Sequence, residues 1–259
     1  MSVKIGGFVP TPLNYQYSPF SEVRTGLDKL SVSASNEYRI PEYTPVMDQL
    51  QLSSCVANAT CGALEVIRGL EDPNNITLLS RLFIYYNARM YDHDTDKDEG
   101  THIANAFDSL KRFGVCPESE WPYNPNFVFA QPSVKAYKTS NDNEISDFYR
   151  IDSYDEQRLL DIESAIRANH PVVFGTTVGQ ELETYTGGNK VFGPPQDIKG
   201  GHAMCIVGVR RNPNLEFYIK NSWSDSWGDA GHAWFNAAYI MLPQTSDIWV
   251  PTRMGGLTV

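Results

Sequence analysis

The 259-residue chain is 41% hydrophobic, 12% aromatic and 20% charged, enough apolar content to bury a core and too much for a disordered segment. Twenty-one Lys and Arg against 31 Asp and Glu give a net charge of −10, a sign that repels a phosphate backbone and excludes nucleic acid as an expected partner. No apolar run approaches the roughly 18 residues of a membrane span and no signal-peptide stretch opens the chain, so it is expected to be soluble, without a membrane partner, and cytoplasmic or exported by a route that the sequence does not display.

Residues 1–40 are rich in Pro, Ser, Tyr and Asn with weak periodicity and read as an irregular N-terminal extension. Pro41 to Pro45 opens the folded body. Ser54 stands at an N-cap position, and Val56, Ala59, Ala63 and Ile67 follow on one helical face, with Gly69 as a stop signal. A buried helix therefore begins at Cys55. A second is predicted across Ser80 to Met90, and a third from Thr101, with Ile103, Phe107 and Leu110 on one face and Gly114 ending it. These helices make residues 41–145 a mainly helical lobe.

Leu160, Ile162 and Ile166 mark one more helix before strands take over. Pro171 to Val178, Ala203 to Val209, Leu215 to Lys220 and His232 to Phe235 are short β-branched or aromatic runs separated by Gly, Asn and Pro. They give residues 146–259 a β-rich lobe and a C-terminal tail. Helices followed by strands predict an α+β fold of two lobes, with a site in the cleft between them.

Cys55, Cys61, Cys116 and Cys205 are too few and too scattered for a disulfide scaffold, which suits a reducing compartment. No CxxC pair occurs, and His202 and Cys205, three apart on a strand, point to opposite faces. No metal and no cofactor is expected. The run Asp92-His93-Asp94-Thr95-Asp96-Lys97-Asp98 alternates acids like a calcium loop, but Lys97 takes the required glycine position and Ile103 the required glutamate, so a solvated acidic loop is expected. His93, His102, His170 and His232 share no spacing and receive no role.

Gln49, Cys55, His202 and Asn221 complement one another. Taken singly, a cysteine at a helix start is a small hydrophobe, a strand histidine a satisfied core residue, and an asparagine at a strand end a turn residue. Together they suggest more. The exposed N–H groups of a helix N-terminus favour a thiolate, and a neighbouring imidazolium would lower the thiol pKa further. His202 follows Gly200-Gly201, where small residues leave space for another chain segment to approach.

The segments Pro45 to Cys55 (PVMDQLQLSSC) and Gly200 to Val209 (GGHAMCIVGV), with Asn221-Ser222-Trp223, Trp227-Gly228 and Gly231, resemble the papain-like cysteine peptidases in order and spacing. His202 and Asn221 follow Cys55 by 147 and 166 residues (202 − 55 and 221 − 55), the second slightly beyond the family's usual 130–150. The resemblance covers roughly Pro41 to Phe235. It implies a papain-like fold, a helical lobe followed by an antiparallel β-barrel-like lobe with the active site between. It also implies an endopeptidase: Cys55 as attacking thiolate, His202 as general acid and base, Asn221 orienting the imidazole, and Gln49 donating its side-chain N–H to the oxyanion. By position against the family's motifs, Gly100, Thr101, Gly175 and Ala203 would line a roomy specificity pocket for a bulky apolar or aromatic side chain of a polypeptide substrate, and Trp223 would cover the Asn221–His202 contact. Leu52 removes the half-cystine that usually tethers the nucleophile loop, Val56 replaces a packed aromatic, and Gly201 replaces an acid or amide.

Two other functions use the same residues: acyl transfer to an acceptor other than water, and peptide binding without catalysis. The N-terminal extension carries Phe8-Val9-Pro10-Thr11-Pro12 and Tyr15-Gln16-Tyr17-Ser18-Pro19-Phe20, apolar groups on a Pro-stiffened chain. It is expected either to dock in the cleft and hinder Cys55 or to strap the outside.

Overall fold

The computed structural model describes residues 4–12, 16–28 and 35–252, so Tyr15 lies outside the described residues. Helix α1 (Ser21–Asp28) and strand β1 (Glu37–Arg39) precede α2 (Cys55–Glu71), α3 (Arg81–Met90), α4 (Ile103–Phe113) and α5 (Val134–Ser140). The second half runs β2 (Phe148–Arg150), α6 (Asp155–Arg167), β3 (Val172–Gly179), α7 (Gln180–Glu183), β4 (Val191–Phe192), β5 (Ile198–Arg211), β6 (Leu215–Lys220), β7 (His232–Asn236), α8 (Ala237–Ile240) and β8 (Asp247–Pro251). No helix among the described residues is long and apolar enough to cross a membrane.

One sheet organises the second half, in the order β2-β8-β3-β5-β6-β7-β4, with β1 added on β5. Its pairs are antiparallel except β4 with β7. The barrel-like expectation is therefore corrected: the path is open, and its ends, β2 with three residues and β4 with two, are too short for the tilted, staggered ladder that closure needs. The α+β class stands. Against this sheet lies α2, whose residues from Cys55 to Ile67 are all buried; burial on every side, with Asn58, Thr60 and Glu65 set among apolar side chains, makes it the central helix of the core.

Local signals worked where the backbone demanded them. Ser80 caps α3 by accepting the Phe83 N–H at 3.2 Å, and Gly114 ends α4 at φ 65°, a conformation that favours glycine. Gly69 is different. The helix runs on to Glu71, and a Cβ on Gly69 would come within 2.2 Å of the Tyr43 ring, so this glycine admits a close ring rather than stopping the helix. Leu160 is 48% exposed, while Ile162, Ala165 and Ile166 form the buried face of α6.

The N-terminal extension divides into two parts. Tyr17 sets its ring edge-on to Trp249 at 4.8 Å, and Phe20 is buried; this part straps β2 and β8. Residues 4–9 take another course, into the cleft.

Candidate active site

Cys55 is the first residue of α2 and is fully buried. Ser54 holds the cap position, but its hydroxyl does not cap the helix. Tyr123 donates its only hydroxyl hydrogen to the Gln49 carbonyl at 2.7 Å, so Ser54 donates to the Tyr123 oxygen at 2.6 Å. The Arg81 guanidinium lies 3.9 Å over the Tyr123 ring and donates to the Asp48 carbonyl at 3.0 Å. Gln49 is thereby fixed at both ends. Its Oε1 accepts from the Ser222 hydroxyl at 2.6 Å, which turns Nε2 toward the carbonyls of Leu52 at 3.0 Å and Lys4 at 3.2 Å.

His202 lies in β5, and Asn221 follows β6 directly. His202 Nε2 meets Asn221 Oδ1 at 2.8 Å, and the same oxygen accepts the Ser222 N–H at 2.8 Å. Two donors on one oxygen fix the amide's orientation and make Nε2 the protonated nitrogen. Nδ1, buried with no hydrogen-bond partner among the described residues, is left to exchange a proton. Trp223 stacks on the imidazole at 4.7 Å and 21°, with Trp227 edge-on behind it. Trp223 and Trp227 also line an open cavity of about 590 Å³ together with Asp48, Leu50, Glu183 and Tyr185.

Burial pushes the Cys55 thiol up to about 12, while main-chain hydrogen bonds from Ala203, Val56 and Gly7 pull the other way. Burial likewise pushes His202 down to about 4 against the upward pull of Asn221. In this closed arrangement both groups are neutral, because each charged form lacks water. The thiolate–imidazolium pair anticipated from sequence requires a wetter cleft.

The cleft is filled by the chain itself. Gly6 donates its N–H to the Gly201 carbonyl at 2.9 Å, Val9 to the Thr101 carbonyl at 3.1 Å, and Thr101 returns its N–H to Gly7 at 3.2 Å. Phe8 and Thr101 form a parallel bridge. The fit is close: a Cβ on Gly7 would stand 2.3 Å from the Ser53 carbonyl oxygen, and one on Gly175 would stand 2.1 Å from the Phe8 ring. Gly175 pairs with Ala203 across β3 and β5. Gly100, Thr101, Gly175 and Gly201 thus surround residues 7–8, whereas Trp223 belongs to the imidazole.

Two residues that the sequence left without a role also act here. His102 Nδ1 contacts the Val9 carbonyl at 3.0 Å, a position adjoining Gly100-Thr101 in the sequence. Asp98, expected in a solvated loop, instead accepts the Ser53 N–H at 2.9 Å.

The model of the papain family of cysteine proteases matches residues 32–242. An uncharacterized peptidase C1-like protein of Acanthamoeba polyphaga mimivirus is 33% identical over 225 residues, covering 82% of this chain and 70% of that protein. A cysteine endopeptidase of Oryza sativa subsp. japonica is 28% identical over 194 residues, covering 73% of this chain; the chain spans about half the length of that relative, 48%. Among solved structures, xylellain, a cysteine protease from Xylella fastidiosa, superposes with a TM-score of 0.80 at 26% identity over 98% of each chain.

Proposed function

We propose, for a chain that belongs to the papain family of cysteine proteases and shares its α+β fold, that it is an endopeptidase acting through Cys55, His202, Asn221 and Gln49. As in the family, it is a hydrolase of polypeptides. Cys55 attacks the peptide carbonyl carbon after its proton passes to His202, and the imidazolium then protonates the leaving amine. Water, activated by the same imidazole, hydrolyses the thioester and frees the thiol. Asn221 holds the ring in the tautomer that leaves Nδ1 available. Gln49 Nε2 and the Cys55 main-chain N–H stabilise the oxyanion. In this reading residues 41–145 and 146–259 are the two lobes that flank the cleft.

A single observation carries this proposal. The site accommodates an extended peptide, residues 4–9, gripped by main-chain hydrogen bonds on both walls and with a carbonyl on Gln49 Nε2. Substrates are expected to present an aromatic or bulky apolar side chain to the space that Phe8 fills between Gly175 and Gly201, bounded by Gly100, Thr101 and Ala203. The same segment is a self-inhibitor rather than a substrate. Gly7 turns an N–H toward the thiol and directs its carbonyl oxygen to the Thr101 N–H rather than to Gln49 Nε2, so the Gly7 carbonyl next to the thiol is not seated on the oxyanion donors.

Cys55→Ala tests the assignment on a fluorogenic peptide. Turnover should fall by several orders of magnitude at unchanged thermal melting; retention of more than a few per cent of wild-type turnover refutes it. Acyl transfer to another acceptor would show as product bearing the added nucleophile.

A further inference from the structure

Hydrogen bonds not used by any of these roles tie the nucleophile turn to the peptide-gripping edge. Ser53, two residues before Cys55, donates its main-chain N–H to Asp98 Oδ1 at 2.9 Å and its hydroxyl to the Asp98 carbonyl at 2.8 Å. The Tyr85 hydroxyl donates to the same Oδ1 at 2.8 Å and accepts the Gly100 N–H at 3.1 Å. Arg89 supports this hub: its guanidinium lies 4.0 Å over the Tyr85 ring, and it bonds the carbonyls of Tyr85, Lys97 and Val128. Ser53, Tyr85, Arg89 and Gly100 are all buried. Burial and the Asp98 charge push the Tyr85 hydroxyl up, so it remains a donor across the working pH range.

No covalent link does this work, since all four cysteines are free and position 52 is Leu. We propose that Asp98 and Tyr85 are positioning residues for peptide hydrolysis: they lock the Ser53–Cys55 turn to Gly100–Thr101, so that the thiol and the main-chain groups gripping the substrate move as one body. This inference rests on the peptidase reading for its consequence, though not for its geometry. Misplacement of a reacting group by about 1 Å costs on the order of 10²-fold. A carboxylate receiving two donors near a buried guanidinium is a strong link, and it is indifferent to reductant.

The test compares Asp98→Ala, Asp98→Asn and Tyr85→Phe in the full chain. Asp98→Ala and Tyr85→Phe should lower kcat/KM on a fluorogenic peptide by roughly 10-fold or more, while iodoacetamide alkylation of Cys55, which needs no peptide grip, is not slowed. Asp98→Asn keeps an Oδ1 acceptor for both donors and should stay within about threefold of wild type. Hydrogen exchange adds a readout independent of activity: the Ser53 and Gly100 amides should exchange faster together in Asp98→Ala. Wild-type kcat/KM in Asp98→Ala, wild-type exchange at both amides, or alkylation falling in parallel with turnover overturns the proposal. If Asp98→Ala does not fold, Tyr85→Phe, which keeps the ring under Arg89, decides the question. If neither the wild-type chain nor a chain lacking residues 1–10 cleaves a peptide, the peptidase reading fails and the exchange rates alone decide the tether.

Discussion

Gln49 Nε2 donates to the main-chain carbonyl of Lys4 at 3.2 Å. The donor assigned to the oxyanion is thus engaged by the protein's own N-terminal segment, and its direction is set beforehand by Ser222 on Oε1. Gln49→Ala should lower kcat by about 10²-fold or somewhat less, with little change in KM. A loss confined to KM would make Gln49 a binding residue and end its oxyanion role.

Gly175→Val makes two opposed predictions from one contact. A Cβ there would lie 2.1 Å from the Phe8 ring, so the segment is displaced and Cys55 labelling in the full chain becomes faster. The same side chain fills the pocket, and peptides with an aromatic residue at that position should lose at least about tenfold in kcat/KM relative to peptides with Ala. Faster labelling without a change of preference would place the substrate side chain elsewhere.

His202 and Asn221 should differ in severity. His202→Ala removes the proton carrier and should be nearly inactive, whereas Asn221→Ala, which removes an orienting bond, should retain measurable turnover. With the segment docked, a thiol pushed up to about 12 and an imidazole pushed down to about 4 mean that Cys55 alkylation is slow at pH 6 and still rising through pH 9. Deleting residues 1–10 readmits water and should extend the wild-type profile to pH 5–6. In His202→Ala with the same deletion it should not extend; an unchanged acid limb there would disprove the thiolate–imidazolium pair.

Away from the site, Glu42 bridges Lys220 at 2.6 Å and His232 at 2.9 Å. Burial alone would raise its pKa, but the His232 hydrogen bond and the Lys220 charge hold it down, from 4.5 to about 2. A depressed carboxylate contributes stability that is complete above its unfolded pKa and is lost as pH falls through the folded one. Glu42→Gln should therefore cost roughly 3 kcal/mol at pH 6–7, and the difference from wild type in urea unfolding should shrink as pH falls from 5 toward 2. A difference constant with pH would mean that shape, not charge, is what Glu42 supplies.

The sequence was most legible where chemistry and backbone geometry are local. Ser80, Gly114 and the short aromatic and β-branched run Leu215 to Lys220 set elements that the structure reproduces within a residue or two. Gly200-Gly201 before His202 indicated an approaching chain, and that chain is Ile5 to Phe8. Contacts across long loops were not legible. Asp98 reads as one acid among several until folding brings Ser53 and Tyr85 to it, and His102 as an unpatterned histidine until Val9 arrives. Strand β8 lies between β2 and β3, a placement that no local signal encodes. The two futures of the N-terminal extension proved compatible, because Tyr17 and Phe20 strap the outside while Phe8 enters the cleft. A truncation that removes only the cleft-bound part must therefore stop before Thr11, since removal through Asn36 would also uncover Trp249.

The most direct measurement is labelling with a peptide fluoromethyl ketone, followed by mapping of the modified residue, in the full chain and in a chain lacking residues 1–10. The account predicts modification at Cys55 in both, faster by about tenfold or more in the shortened chain at unchanged melting temperature. Failure of Cys55 to react in the shortened, folded chain would contradict the nucleophile assignment, and equal rates in the two chains would contradict the inhibitory role of the segment.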